Sequence, residues 1–89
     1  EIHTGEYSEC YYAAPRHREE SLSRVIVAAE YAVDLGIIVN AGHGLNYQNV
    51  KEIAKIPGIN ELNIGHSIVA RALMVGMERA VSDMKALLV

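Results

Sequence analysis

Short apolar runs alternate along the chain with stretches of helical period, and each apolar run ends in a glycine beside a polar residue. The element order this predicts is β-α-β-α-β-α. Glu1 to Thr4 reads as a short first strand, which Gly5 releases into a polar stretch from Glu6 to Arg18 that holds Tyr7, Tyr11, Tyr12 and Pro15 and reads as the longest loop. Beyond it Leu22, Val25, Ile26, Ala29, Ala32 and Val33 recur at helical spacing, one apolar stripe that Gly36 stops. Ile37, Ile38 and Val39 form a β-branched run without polar alternation, the pattern of a strand covered on both faces in a parallel sheet. Ala41-Gly42-His43-Gly44 follows at once. Asn46 caps a short helix that turns Val50, Ile53 and Ala54 inward and ends at Pro57-Gly58. Leu62 and Ile64 alternate with Glu61 and Asn63 in a last strand, which stops at Gly65-His66. From Ser67 one long helix puts Val69, Leu73, Met77, Ala80, Met84 and Leu87 on a single face, with Met74, Met77 and Met84 as core.

Strand starts near Glu1, Ile37 and Glu61 imply βα units of unequal length, which demand parallel strands and right-handed crossovers. Such a set of units cannot close on itself. A (β/α)8 TIM barrel needs about 250 residues, so a chain of this size corresponds to roughly its last third. The fold class expected is therefore α/β, the C-terminal βαβαβα portion of a TIM barrel, with residues 1–89 forming part of a single domain. Two strand edges and one sheet face are left to be covered. The start at Glu1, without an initiator Met, adds the expectation of a processed or cut piece.

Composition changes this picture only by exclusion. Eight Lys and Arg against eleven Asp and Glu give a net charge of -3, so no broad basic surface exists to neutralise a nucleic-acid backbone. A single cysteine, Cys10, rules out an intramolecular disulfide and a cysteine-rich zinc site, and fits a reducing cytoplasm. The apolar runs fall far short of the roughly 20 residues of a membrane helix, and no signal peptide opens the chain.

In parallel α/β architectures ligands sit at the carboxyl ends of the strands. His3, Thr4, Asn40, His43, Gly44, Asn63, Gly65 and His66 occupy those positions, and Glu1 stands slightly earlier on its strand. Gly65-His66-Ser67 joins a strand directly to a helix start, where free backbone N–H groups and the helix dipole attract a phosphate; a plain strand-to-helix turn would look the same. Gly42-His43-Gly44 is a second such approach, with an imidazole held between residues that lack side chains and suited to general acid or base work. The alternative there is a turn histidine bonded to a nearby carbonyl. Gly42-His43-Gly44-Leu45-Asn46 imitates the opening of a dinucleotide fingerprint, but Asn46 replaces the third glycine and no acidic residue ends the next strand. Glu1, His3 and His43 lack the short spacing of a metal site. His17 lies in a mixed-charge run and carries no chemistry, Arg71 reads as a surface residue, and Tyr11-Tyr12 beside Cys10 read as a loop anchor, the alternative being a lid or subunit contact.

Glu-Ile-His-Thr-Gly at 1–5, Val-Asn-Ala-Gly-His-Gly-Leu at 39–45 and Glu-Leu-Asn-Ile-Gly-His at 61–66 resemble the pyridoxine 5'-phosphate synthase family, in order through the whole chain and most weakly across residues 6–20. The part resembled runs from strand six to helix eight of that barrel. The resemblance implies an enzyme of vitamin B6 biosynthesis that condenses 1-deoxy-D-xylulose 5-phosphate with 3-amino-2-oxopropyl phosphate, without a metal or redox cofactor. It makes His43 the proton donor, Glu1 the group that stabilises the transition state, and Gly44, Gly65 and His66 the holders of the aminoketone phosphate. It also implies a general-base histidine and glutamate on strands absent from this chain, so that these residues carry only part of the active site and need the remaining barrel segment. A homo-oligomer is expected, its open edges and Tyr-rich loop making a lone monomer implausible. The competing reading is a non-catalytic barrel fragment that binds a phosphorylated ligand or mediates assembly.

Overall fold

The computed structural model describes residues 1–88. Its elements are β1 (Ile2–His3), α1 (Gly5–Cys10), α2 (Pro15–Asp34), β2 (Val39–Gly42), α3 (Val50–Ala54), β3 (Ile59–Asn63), α4 (His66–Val75) and α5 (Met77–Leu87). The three strands form one parallel sheet in the order β1-β2-β3. Because spatial order follows chain order, right-handed crossovers put both connecting segments on the same face of the sheet. Ile2 lies opposite Ala41 and His3 opposite Gly42, while a bulge between Val39 and Asn40 brings Gly42 opposite Asn63. The ends of all three strands are thereby level, and that is where the candidate chemistry collects.

The core forms where the inward residues of the sheet meet α2, α3 and α5. Val25 and Ala29 of α2, Val39 and Ala41 of β2, Val50 and Ile53 of α3, and Met84 of α5 are all buried. The predicted stripe of α2 holds through Ala32, while Val33 is exposed. That helix ends in paired hydrogen bonds, Ile37 N–H to the Ala32 carbonyl at 3.1 Å and Gly36 N–H to Val33 at 2.9 Å, the Schellman pattern expected of a glycine stop.

Three expectations need correction. The stretch 6–18 is not a loop: α1 fills its first part, and Pro15, whose missing N–H costs nothing at a helix start, opens α2. Tyr7 is the reason α1 forms. It is 1% exposed and its hydroxyl donates to the Asn49 carbonyl at 2.6 Å, so tertiary burial fixes a segment of weak helical pattern. The second strand begins at Val39, two residues late, and Ile37 and Ile38 are exposed because they lie before the strand, outside the zone the helices cover. The long final helix is two helices, broken at Gly76, whose φ of +90° a side chain would strain. Past that break the apolar face is not shared. Ala80 and Met84 are buried, but Val69, Leu73, Met74 and Met77 are exposed, so only Met84 of the three methionines is core.

Candidate active site

Residues 42–49 connect β2 to α3, and short polar side chains hold them in shape. Asn46 Oδ1 accepts from the N–H groups of Gln48 and Asn49 at 2.8 and 2.9 Å and so holds the turn ahead of α3, but it is not the helix cap expected of it: the N-cap position is Asn49, and no side chain caps there. Asn49, 1% exposed, ties the turn to itself, accepting from Asn46 N–H at 2.7 Å and donating to the Gly44 carbonyl at 3.2 Å. Beneath it the buried Tyr7 hydroxyl braces the Asn49 carbonyl, and burial, reinforced by the charge of Glu52, pushes its titration above the ordinary tyrosine range. It therefore stays protonated and donating.

His43 has a φ of +94°, the one positive value outside glycine among the described residues. Such a conformation persists only when its surroundings over-determine it. Here β1 does so. The Thr4 hydroxyl, fully buried, donates to the His43 carbonyl at 2.8 Å, Ser8 Oγ reaches the same oxygen at 3.3 Å, and Thr4 N–H continues the ladder to the Gly42 carbonyl at 2.8 Å. The exposed His43 ring stacks on that of His3, centroids 4.4 Å apart.

The other side of the site comes from β3 and α4. The Glu1 carboxylate accepts a hydrogen bond from Asn63 Nδ2, which aims it along the sheet end. Ser67 donates to the Leu45 carbonyl at 2.8 Å and so pins the start of α4 against the β2–α3 turn. No side chain caps α4, which leaves the first amides of that helix free for an anion. At Gly65 neither backbone nor packing demands a glycine: its φ is -131°, and a Cβ there would meet nothing within 4 Å. Gly44 is the opposite case, since its φ is +76° and a Cβ would press on Ser8.

Glu1, His43, Gly44, Gly65 and His66 all line one cleft of about 700 Å³, with Asn63 between them. The five residues to which the family resemblance gives roles are thus brought together at one rim, whereas His3 and Thr4, also at strand ends, lie outside this cleft. Asn40 lies outside it too, and its side chain instead accepts from Asn60 at 3.4 Å. His17 is exposed on α2, away from the cleft. Arg71 is taken up by Asp83 at 2.7 Å and by the face of Tyr47. Tyr11 and Tyr12 both donate to Gln48, which makes them an anchor for the turn. Among the described residues no cluster of three His, Cys, Asp or Glu is placed to hold a metal ion, and no helix is long and apolar enough to cross a membrane. The sequence reading placed Asn63 and Thr4 among the strand-end positions without giving them a role, and passed over Ser8. For Asn63 and Thr4 the strand-end position was the available signal, whereas Ser8 had none, because α1 itself was read as loop.

Against known proteins, the family model described as "Pyridoxal phosphate biosynthesis protein PdxJ" matches residues 1–89. The chain is 62% identical over 88 residues to the pyridoxine 5'-phosphate synthase of Prochlorococcus marinus strain MIT 9515, covering 99% of this chain and 36% of that protein. It is 58% identical over 88 residues to the protein of the same name from Prochlorococcus marinus subsp. pastoris, covering 99% of this chain and 36% of that one. With the pyridoxine 5'-phosphate synthase of Synechocystis sp. (strain PCC 6803) the identity is 52% over 85 residues, covering 96% of this chain and 34% of its relative. The chain spans about a third of the length of these relatives.

Proposed function

The chain belongs to the PdxJ family, and from that premise we propose that it forms the aminoketone-phosphate side of a pyridoxine 5'-phosphate synthase active site, as part of a TIM-barrel domain completed by further βα units. The observation that carries the reading is the convergence of Glu1, His43, Gly44, Gly65 and His66 on one cleft at the carboxyl ends of parallel strands. A sheet wound in one direction, with helices on one face, is also what a barrel continues at both edges.

In this reading the phosphate of 3-amino-2-oxopropyl phosphate lies against Gly44 and the start of α4. The uncapped amides of His66 and Ser67 and the helix dipole meet its charge. Gly65 lacks a side chain because the ester, not the protein, occupies the space beside it. Anchored there, the substrate presents its amine and ketone carbons to the sheet end. The amine condenses with the carbonyl of 1-deoxy-D-xylulose 5-phosphate to an imine, and the later dehydrations need a proton on each departing oxygen. His43 supplies such a proton from its exposed ring, a role typically worth about 10²- to 10⁴-fold in rate. Glu1, held by Asn63, offsets positive charge on the imine or carbinolamine. The bases that remove protons belong to strands beyond this chain. The reading further takes the protein to be a cytoplasmic homo-oligomer.

The test is product formation by the full-length protein that carries these residues, supplied with both phosphate esters. Pyridoxine 5'-phosphate and inorganic phosphate are expected in equal amounts. Tight binding of the aminoketone phosphate without turnover would favour a non-catalytic ligand-binding role instead.

A further inference from the structure

Resting on the reading of His43 as proton donor, we propose that His3 is the positioning residue for His43, acting through its ring face and outside the substrate cleft. The strand register starts the argument. His3 lies opposite Gly42 in the β1–β2 ladder, so its side chain stands beside the residue that follows, and the two imidazoles stack with centroids 4.4 Å apart and planes 23° apart. His3 is itself fixed. The Gly5 N–H donates to its Nδ1 at 3.2 Å, which sets the tilt of the ring and leaves the ring proton on Nε2. Gly5 also supplies the floor: a Cβ built there would lie 2.5 Å from His3 Cε1 and 3.0 Å from His43 Cδ2, so both rings rest against its bare Cα. His3 does not line the cleft that holds Glu1, His43 and Gly44, but opens onto a neighbouring groove.

His43 needs such a support. Its main chain is clamped by Thr4, but nothing on the cleft side holds its ring, for no side-chain hydrogen bond to either ring nitrogen exists among the described residues. A donor whose ring samples several rotamers spends little time aimed at the departing oxygen, and a misplacement of about 1 Å can cost on the order of 10²-fold in rate. The flat face of His3 restricts that sampling without competing for the proton.

Two substitutions in the full-length enzyme separate the parts. His3→Asn keeps an acceptor for the Gly5 N–H and removes the ring face, whereas His3→Phe keeps the face and removes the acceptor. The expectation is a kcat loss of about tenfold or more for His3→Asn with KM for both substrates within about twofold, and recovery of most of that loss by His3→Phe. The same His3→Asn change is expected to shift the His43 ring resonances in NMR spectra of the substrate-free enzyme, as the ring current of its neighbour disappears. In a His43→Asn background the further effect of His3→Asn on kcat is expected to vanish. Unmoved His43 resonances, a loss confined to KM, or a full additional kcat loss in the His43→Asn background would each overturn the proposal. Shifted resonances together with a His43→Asn enzyme of undiminished kcat would leave the alignment standing and remove the proton-donor reading instead.

Discussion

Replacing Thr4 by Val tests how the strained residue at the centre of the site is held. The change is nearly isosteric, so a residue that is fully buried keeps its packing and loses only the hydroxyl that donates to the His43 carbonyl at 2.8 Å. A neutral hydrogen bond of this kind contributes about 0.5–1.5 kcal/mol net, and an abandoned buried partner would add about 1–3 kcal/mol. The second figure is reduced, because Ser8 Oγ stands 3.3 Å from the same oxygen and can turn its one proton there, giving up its shorter bond of 2.9 Å to the Thr4 carbonyl. The stability loss expected is therefore about 1 kcal/mol, or about 2–4 °C in Tm for a domain of 150–250 residues. That modest sum matters because a non-glycine residue in a sparsely populated backbone region stores about 1–3 kcal/mol, comparable with the latch that opposes its relaxation. With His43 at a φ of +94°, loss of the latch lets the Gly42–Gly44 backbone relax and carries the ring with it. The kcat expected for Thr4→Val is lower by about 10- to 100-fold. Calorimetric melting and steady-state kinetics of the full-length enzyme measure the two effects together. Wild-type kcat alongside the expected fall in Tm would refute the claim that the latch sets the ring; an unchanged Tm would refute the hydrogen-bond arithmetic itself.

Other outcomes follow from the same geometry. His43→Asn, which suits a positive φ better than most residues, is expected to fold normally and to lower kcat by about 10²-fold or more with little change in KM; unchanged turnover would reject the acid role. Gly65→Val is expected to leave Tm nearly unaltered, since its Cβ meets no protein atom within 4 Å, while weakening 3-amino-2-oxopropyl phosphate in a calorimetric titration; wild-type affinity would count against the phosphate site. Asp83 accepts from Arg71 at 2.7 and 3.1 Å, and chiefly these bonds, with Arg79 adding its charge, hold its carboxyl below the ordinary value of 3.8. A lowered folded-state value means that the stabilisation is present above that ordinary value and is lost as pH falls through the folded one. Tm measured below about pH 4 is therefore expected to drop less steeply in Asp83→Asn than in the unsubstituted protein, and parallel acid limbs would show that the α4–α5 ion pair contributes nothing.

What could be read without coordinates was whatever depends on local pattern. The stripe of α2 with its glycine stop and the strand-end placing of His43, Gly44, Gly65 and His66 follow from periodicity and turn chemistry, whereas the choice of Glu1 with them came from the family resemblance. What escaped depends on distant contacts. Helix α1 exists because the Tyr7 hydroxyl finds Asn49, forty-two positions along the chain, and no window of neighbouring residues contains that information. The break at Gly76 was hidden because the apolar spacing from Val69 to Leu87 runs straight through it, and one glycine in a helical pattern is often tolerated. The early start assigned to the second strand came from reading Ile37 and Ile38 by composition, when their exposure depends on which neighbours are at hand to cover them.

The parallel sheet gives the molecule a polarity that separates two kinds of evolutionary freedom. His43, Gly44, Gly65 and His66 stand past the last residue of a strand, with Glu1 beside them at the start of the two-residue β1, while the connections that precede β2 and β3, through Gly36 and through Pro57-Gly58, lie at the far end. Sequence drift, insertions or a fluorescent tether at those entry turns can alter how durable the scaffold is without touching its chemistry. Conversely, the exit turns can be remodelled toward other substrates on an unchanged frame. Durability and reactivity are written at opposite poles of the same short strands.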